Sequence, residues 1–210
     1  MNKIFKITKD PHDTGEILYN KTQITIKPGV TVLVGCNGCG KTTLLCTMYE
    51  KLKKDNIPVM FYDNLRDGGS NAKSRAGFYN DIPMLATLMC SSEGEQINLN
   101  LCTAAENIGR FVRKNKGASE MFFLFDAIDS GLSIDNIEET KELLFDTIIK
   151  DNPNSDVYII VSANEYEMCR EEKCFDVRNG KYITFENYEE YRNFILNSRK
   201  EKDERSKTND

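Results

Sequence analysis

Residues 29–52 read GVTVLVGCNGCGKTTLLCTMYEKL, and the hydrophobic period changes partway along them. VTVLV, residues 30–34, is a short and mostly apolar run, which suits a strand buried on both faces. From Lys41 onward, Leu44, Leu45, Met48 and Leu52 recur at helical spacing and predict one buried helix face. Between strand and helix lies GCNGCGKT, Gly35 to Thr42, which fills the pattern GxxxxGK[ST]. Such a loop works through its backbone. Glycines let the chain wrap around phosphate oxygens, and several N–H groups then point inward at the start of the helix. Lys41 is placed to reach the β- and γ-phosphates of a nucleotide, and the Thr42 hydroxyl to ligate Mg²⁺. The expected nucleotide contacts are Asn37, Gly38, Cys39, Gly40, Lys41, Thr42 and Thr43, with Lys41 also acting in catalysis.

The rest of the chain repeats the same alternation. PVMFY (58–62), MFFLF (121–125) and VYIIV (157–161) read as further buried strands, with helical segments near 94–114 and 134–150 between them. Ile134, Ile137, Leu144, Phe145 and Ile148 fall on one face of the latter. Strands alternating with helices predict an α/β fold, a mostly parallel central sheet flanked by helices on both faces. An antiparallel N-terminal β portion precedes it. KIFKITK (3–9) reads as a half-buried strand, and GEILYN (15–20) with TQITI (22–26) as the arms of a hairpin. Near the other end, CFDVRNGKYITF (174–185) predicts a hairpin turning at Asn179–Gly180. NYEEYRNFIL (187–196) follows as a helix, with Asn187 and Glu190 set for a capping box and Tyr188, Tyr191, Phe194 and Ile195 as its apolar stripe. The stretch 197–210 has mixed charge and no apolar pattern, and reads as a solvated helix end with a frayed tail. The expected division is one domain over 1–196 followed by a charged tail, 197–210. Residues 64–81, rich in glycine, asparagine and serine, form a long loop of the functional or mobile kind.

Composition narrows the function class. The chain has 210 residues, with 28 basic and 33 acidic side chains and a net charge of -5, which weighs against a protein that coats nucleic acid without specificity. No run approaches the roughly 18 apolar residues of a membrane span, and the start lacks a signal-peptide pattern, so a cytoplasmic protein without a membrane partner is expected. There is one histidine, His12, which excludes any mechanism built on a histidine pair. The 7 cysteines are scattered, and reduced thiols are expected. Cys36 and Cys39 form a CxxC, but Cys169 and Cys174 do not match it as a second zinc-binding pair, and both members of the CxxC lie inside the glycine-rich loop.

A nucleotide site of this kind needs a second carboxylate to orient the metal, at the end of a neighbouring strand. MFFLFD supplies one in Asp126. Mg²⁺ keeps several waters and takes few protein ligands, so Thr42 and Asp126 are the expected metal contacts.

With these elements in order, the sequence resembles the ABC-type ATPases, in particular their SMC-like branch of DNA repair and chromosome maintenance, in the compact stand-alone form found in bacteria and phages. GCNGCGKTTLL is similar to the Walker A element of that family. FFLFDAIDSGLS resembles its Walker B element and D-loop, the latter here Ser130 to Ser133. SSEGEQ (91–96) resembles the family signature, with Ser92 as its serine and Glu93 in place of the first glycine. The resemblance implies that Ser92 and the N–H groups near Gly94 contact the γ-phosphate of an ATP held by a second copy, so that two chains sandwich two ATP molecules head to tail. It also places Asn64 near the Q-loop glutamine, Asn164 of VSAN (161–164) at the switch-histidine position, and Tyr19 as a candidate to stack on adenine, beside a core-packing alternative.

Two departures bear on turnover. Ala127 stands where the family carries the glutamate that positions the attacking water, and Asn164 is not a histidine. Alanine cannot orient or deprotonate water, and loss of a general base typically costs about 10²–10⁴-fold in rate. Asp129 and Glu165 are the nearest substitutes. The expectation is firm binding of ATP and Mg²⁺, slow hydrolysis involving Lys41, Asp126, Asp129 and Asn164, and a nucleotide-dependent homodimer. It would serve as a switch or motor for a protein or DNA partner. A non-hydrolysing ATP-sensing module is the alternative. A small-molecule P-loop kinase is a third reading, for which Arg66 and Arg75 would have to supply a lid. The interval between Lys41 and Ser92 is too short for the coiled-coil arm of SMC-like relatives. RFVRKNKG (110–117) is the densest basic cluster, fitting a helix end or a DNA contact.

Overall fold

The apolar runs become the strands of one sheet. The computed structural model describes residues 1–64 and 105–208. A six-stranded sheet has the order β4-β5-β6-β3-β7-β8, built from β3 (Gly29–Val34), β4 (Val59–Asp63), β5 (Glu120–Asp126), β6 (Asp156–Ser162), β7 (Lys173–Asp176) and β8 (Lys181–Ile183). All its neighbours pair in parallel except β7 with β8, which closes the expected hairpin in antiparallel register. β3 lies inside the sheet between β6 and β7, so the loop that follows it opens at the middle of the strands' carboxyl ends.

Period-two alternation divides the core into two layers. Phe123, Phe125, Ile159, Val161, Val32 and Val34 face one way, and Phe122, Leu124, Tyr158, Ile160 and Leu33 face the other. Helix α1 (Lys41–Lys54) covers the second face with the four residues its spacing singles out, Leu44, Leu45, Met48 and Leu52, all buried. On that side Phe122 and Tyr158 stack with centroids 4.2 Å apart. The first face is covered by helix α2 (105–114), by α3 from Ile134 to Lys150, by the short α4 (Tyr166–Cys169) and by α5 (Tyr188–Thr208). The middle of α3, Thr140–Asp146, is a π-type stretch that joins Ile134–Glu139 to Thr147–Lys150. Ile137, Phe145 and Ile148 are buried as expected and Leu144 is half-buried.

Several local expectations change. TQITI does form β2 (Gln23–Ile26), but its antiparallel partner is β1 (Lys3–Lys6), not GEILYN. GEILYN is not a strand. Its backbone is taken up elsewhere, with the Leu18 and Tyr19 N–H groups donating to the Lys9 carbonyl and Asn20 N–H to that of Arg178. Ile134 and Tyr188 are exposed. Each opens a helix, and side chains there lean back past the helix end, where no preceding turn covers them. The capping arrangement is partly shifted. Asn187 accepts the Glu190 N–H at 3.0 Å, while the Glu190 carboxylate reaches back to the N–H of Glu186 at 2.8 Å. The mixed-charge stretch after residue 196 continues α5 as helix through Thr208. Of the segment expected to be helical near 94–114, the described part is helical; residues 65–81 of the long loop and SSEGEQ lie outside the described residues.

Candidate functional site

α1 begins without a cap. Its N-cap is Gly40 with φ 99°, no side chain caps it among the described residues, and the first turn carries no acidic residue. The positive end of a 14-residue helix is thus left open toward the pocket. Gly40 is required twice over: its φ is left-handed, and a Cβ would lie 3.0 Å from the Tyr19 ring. Tyr19 is fully buried beneath it, donating its hydroxyl to the Gly40 carbonyl at 2.9 Å. It packs and braces the loop and is not placed to stack on a base. Lys41 folds back to donate to the Gly35 carbonyl at 2.8 Å, and the Cys39 N–H donates to the Cys36 carbonyl at 3.2 Å to close the turn. Cys36 and Cys39 are buried, and burial pushes the Cys39 thiol up from its ordinary value. A protonated, enclosed thiol is a poor nucleophile and a poor metal ligand.

The facing wall comes from the ends of β5 and β6. Asp126 lies opposite Ser162 in the register, and both are buried. The Ser162 hydroxyl donates to the Asp126 carboxylate and accepts the Ala127 N–H at 2.9 Å. That second bond helps hold Ala127 at φ 52°, a left-handed conformation unusual for alanine. Asp129 sits behind this wall, fully buried, and one of its oxygens accepts the N–H groups of Asn164 at 2.7 Å and Glu165 at 2.8 Å. Its other oxygen has no hydrogen-bond partner among the described residues. Burial raises the Asp129 carboxyl above the usual aspartate range, against the pull of the two N–H donors. Asn164 is exposed, with its carbonyl accepting the Tyr191 hydroxyl at 2.7 Å.

Between the walls is an open cavity of about 370 Å³. It brings together Asn37, Gly38, Gly40, Lys41, Thr42 and Thr43 from the loop and Asp126, Ala127 and Asn164 from the facing strands. Cys39 and Asp129 do not line it. Ser92 and Gly94 lie outside the described residues, as do Arg66 and Arg75. Asn64 is described but points elsewhere, donating to the Ser130 carbonyl at 3.3 Å.

Two groups of lining residues escape the sequence reading. Ser162 is one, a serine closing an apolar strand with no motif to mark it. The others are His12, Glu16 and Leu18, from the loop after β1. Asp10 organises that loop by accepting the N–H groups of Gly15 at 2.6 Å and His12 at 3.2 Å, and His12 Nε2 lies 3.4 Å from the Thr43 hydroxyl. The single histidine was the available signal.

The donor set fits a hard divalent cation. The exposed Thr42 hydroxyl and the Asp126 carboxylate face the same cavity, which Glu16 lines from the loop after β1, and no group of three or more metal-ligating side chains occurs among the described residues. Oxygen donors this few suit Mg²⁺ shared with a phosphate better than an ion held by protein alone.

No protein-family model matches the chain, and no curated protein matches it by sequence. Solved structures do. The ADP conformation of an ATP-binding cassette of an ABC transporter superposes with a TM-score of 0.54 at 13% identity, covering 95% of this chain and 98% of that one. A nucleotide-free ATP-binding cassette from an ABC transporter gives 0.54 at 12% identity, covering 95% and 99%. The fold is that of an ATP-binding cassette, as the resemblance of the motifs implies. Among the described residues no helix is long and apolar enough to cross a membrane.

Proposed function

We propose that the chain is an ABC-type ATPase that binds Mg-ATP in the cavity between α1 and the ends of β5 and β6, turns it over slowly, and pairs head to tail with a second copy around the nucleotide. The observation that carries this reading is the juxtaposition of an uncapped helix N-terminus, Lys41 and Thr42 with the buried Asp126 across one cavity. The helix end and loop N–H groups would hold the phosphates, and Lys41 would move from the Gly35 carbonyl to the β- and γ-oxygens. Thr42 and Asp126 would hold Mg²⁺, whose contribution is to neutralise charge on the phosphates. The site is incomplete for hydrolysis. Ala127 lines the cavity with a methyl group where a base would be needed, and Asn164 offers only a neutral amide to a γ-phosphate.

A pairing of two copies, with Ser92 and Gly94 of each reaching the other's nucleotide, would place an ATP-dependent contact at the heart of the protein's action. The resemblance of GCNGCGKTTLL to the SMC-like branch favours DNA metabolism as the setting, with a protein or DNA partner. A second reading, an ATP-sensing module that does not hydrolyse, draws on the same Ala127 and Asn164. The kinase reading has no observation in its favour among the described residues.

Light scattering with and without Mg-ATP, beside Ser92→Arg, tests the pairing, with Lys41→Ala as the control for binding. The expected outcome is nucleotide-dependent dimer in the wild type and monomer in both variants. A wild type that stays monomeric with bound nucleotide refutes the sandwich.

A further inference from the structure

One face of α5 lies along the rim of the cavity. Ser198, Glu201, Lys202 and Arg205 recur at the i, i+3, i+4, i+7 spacing of a helix face. The Cys36 N–H donates to Ser198 Oγ at 3.2 Å, and Lys202 Nζ donates to the Asn37 carbonyl at 3.2 Å. Glu201 pairs with Arg178 at 3.0 Å, and the Arg205 guanidinium donates to the Ile17 carbonyl. A single helix face thus touches both the phosphate-type loop, where Asn37 lines the cavity, and the segment between Glu16 and Leu18, which line it from the other side. Gly38 has φ 75°, and the Lys202 ammonium lies close over it, where a Cβ would stand.

We propose that this face of α5 is a positioning strap for the phosphate loop, with Ser198 and Lys202 as its positioning residues. The inference rests on reading the cavity as a nucleotide site. A glycine-rich loop loses much conformational freedom when it wraps a polyphosphate, and whatever holds it wrapped beforehand lowers that cost. Ser198 and Lys202 fix the backbone at Cys36 and Asn37, immediately ahead of Gly38. Their contacts are polar, the Lys202 one exposed and the Ser198 one half-buried, so the strap can open. Coupling between two such events is reciprocal: a docked strap tightens nucleotide binding, and bound nucleotide holds the strap down by the same factor.

Calorimetry of Mg-ADP binding tests this in the full chain, comparing wild type, Lys41→Ala, the double variant Ser198→Ala/Lys202→Ala, and Lys202→Arg. Loss of two hydrogen bonds should weaken binding by about tenfold in the double variant, while Lys202→Arg, which keeps a charged donor, should stay near wild type. Hydrogen exchange over 197–208 should slow when Mg-ADP is added to the wild type, and less so in the double variant. Wild-type protein that binds no nucleotide overturns the site reading and the strap together. Binding that is lost in Lys41→Ala but unchanged in the double variant, or exchange over 197–208 indifferent to nucleotide, overturns the strap alone.

Discussion

The two walls of the cavity are made in different ways. The wall after β3 is backbone: a glycine-rich loop, an uncapped helix start and one lysine, held from below by Tyr19. The wall after β5 and β6 is side chain: Asp126, Ser162 and, behind them, Asp129, all buried and tied by hydrogen bonds that cross between strands. On the proposed reading, a backbone wall would bind phosphate whatever most of its side chains are, so cysteines at positions 36 and 39 would not spoil it. A side-chain wall has no such tolerance, since replacing one group changes its chemistry outright. On the proposed reading Ala127 is that replacement. The difference would then separate binding from turnover, the first falling to one wall and the second to the other.

The sharpest way to break the comparison is Ala127→Glu. If the facing wall alone limits turnover, restoring a carboxylate should raise steady-state ATP hydrolysis by about 10²–10⁴-fold, the range a general base supplies, with nucleotide affinity little changed. Phosphate release under saturating Mg-ATP measures it. No increase would mean that the backbone wall or the missing switch histidine also limits the reaction. The added side chain enters at a left-handed φ, so a melting curve must accompany the assay.

Ser162→Ala is next in size. It removes the donor to Asp126 and the acceptor for the Ala127 N–H at once. A buried group left without its partner costs about 1–3 kcal/mol, so urea denaturation should show a loss in that range. Mg²⁺ dependence of nucleotide binding should weaken as well, because Asp126 loses the bond that fixes its orientation. An unchanged urea midpoint would show the facing wall to be less tightly tied than its hydrogen bonds imply.

The same contrast explains what was legible in the sequence. The backbone wall is local: strand, loop and helix follow one another over residues 29–54, and their pattern suffices to read them. So is the division of β5 and β6 into buried strands. What the sequence did not disclose depends on distant pairings. β2 turns to β1 instead of GEILYN because the Lys9 and Arg178 carbonyls take up the latter's N–H groups. Ser162 acquires a role only when β6 lies beside β5, and α5 meets the phosphate-type loop across a separation of 162 residues in the chain. The helix end after residue 196 looks solvated in sequence because its contacts are polar, and hydrophobic periodicity cannot register them.

Asp129 offers the smallest effect and the most specific. Burial raises its native carboxyl pKa above the unfolded value, so over the window between the two the folded chain binds more protons than the unfolded one. Stability must then fall as pH rises through that window. The contribution is complete below the ordinary aspartate range and is lost once pH passes the raised native value. Asp129→Asn retains an oxygen able to accept the N–H groups of Asn164 and Glu165 and removes the titration. Denaturation midpoints of the two proteins, taken at a series of acidic to neutral pH values, should therefore diverge as pH climbs, with the wild type losing ground to the variant. The backbone wall contains no buried carboxylate and should contribute nothing to this difference. Curves that stay parallel would mean that Asp129 is ionised in the native state as readily as in the unfolded chain, its two N–H donors offsetting its burial, and that the facing wall is less desolvated than the geometry of its hydrogen bonds suggests.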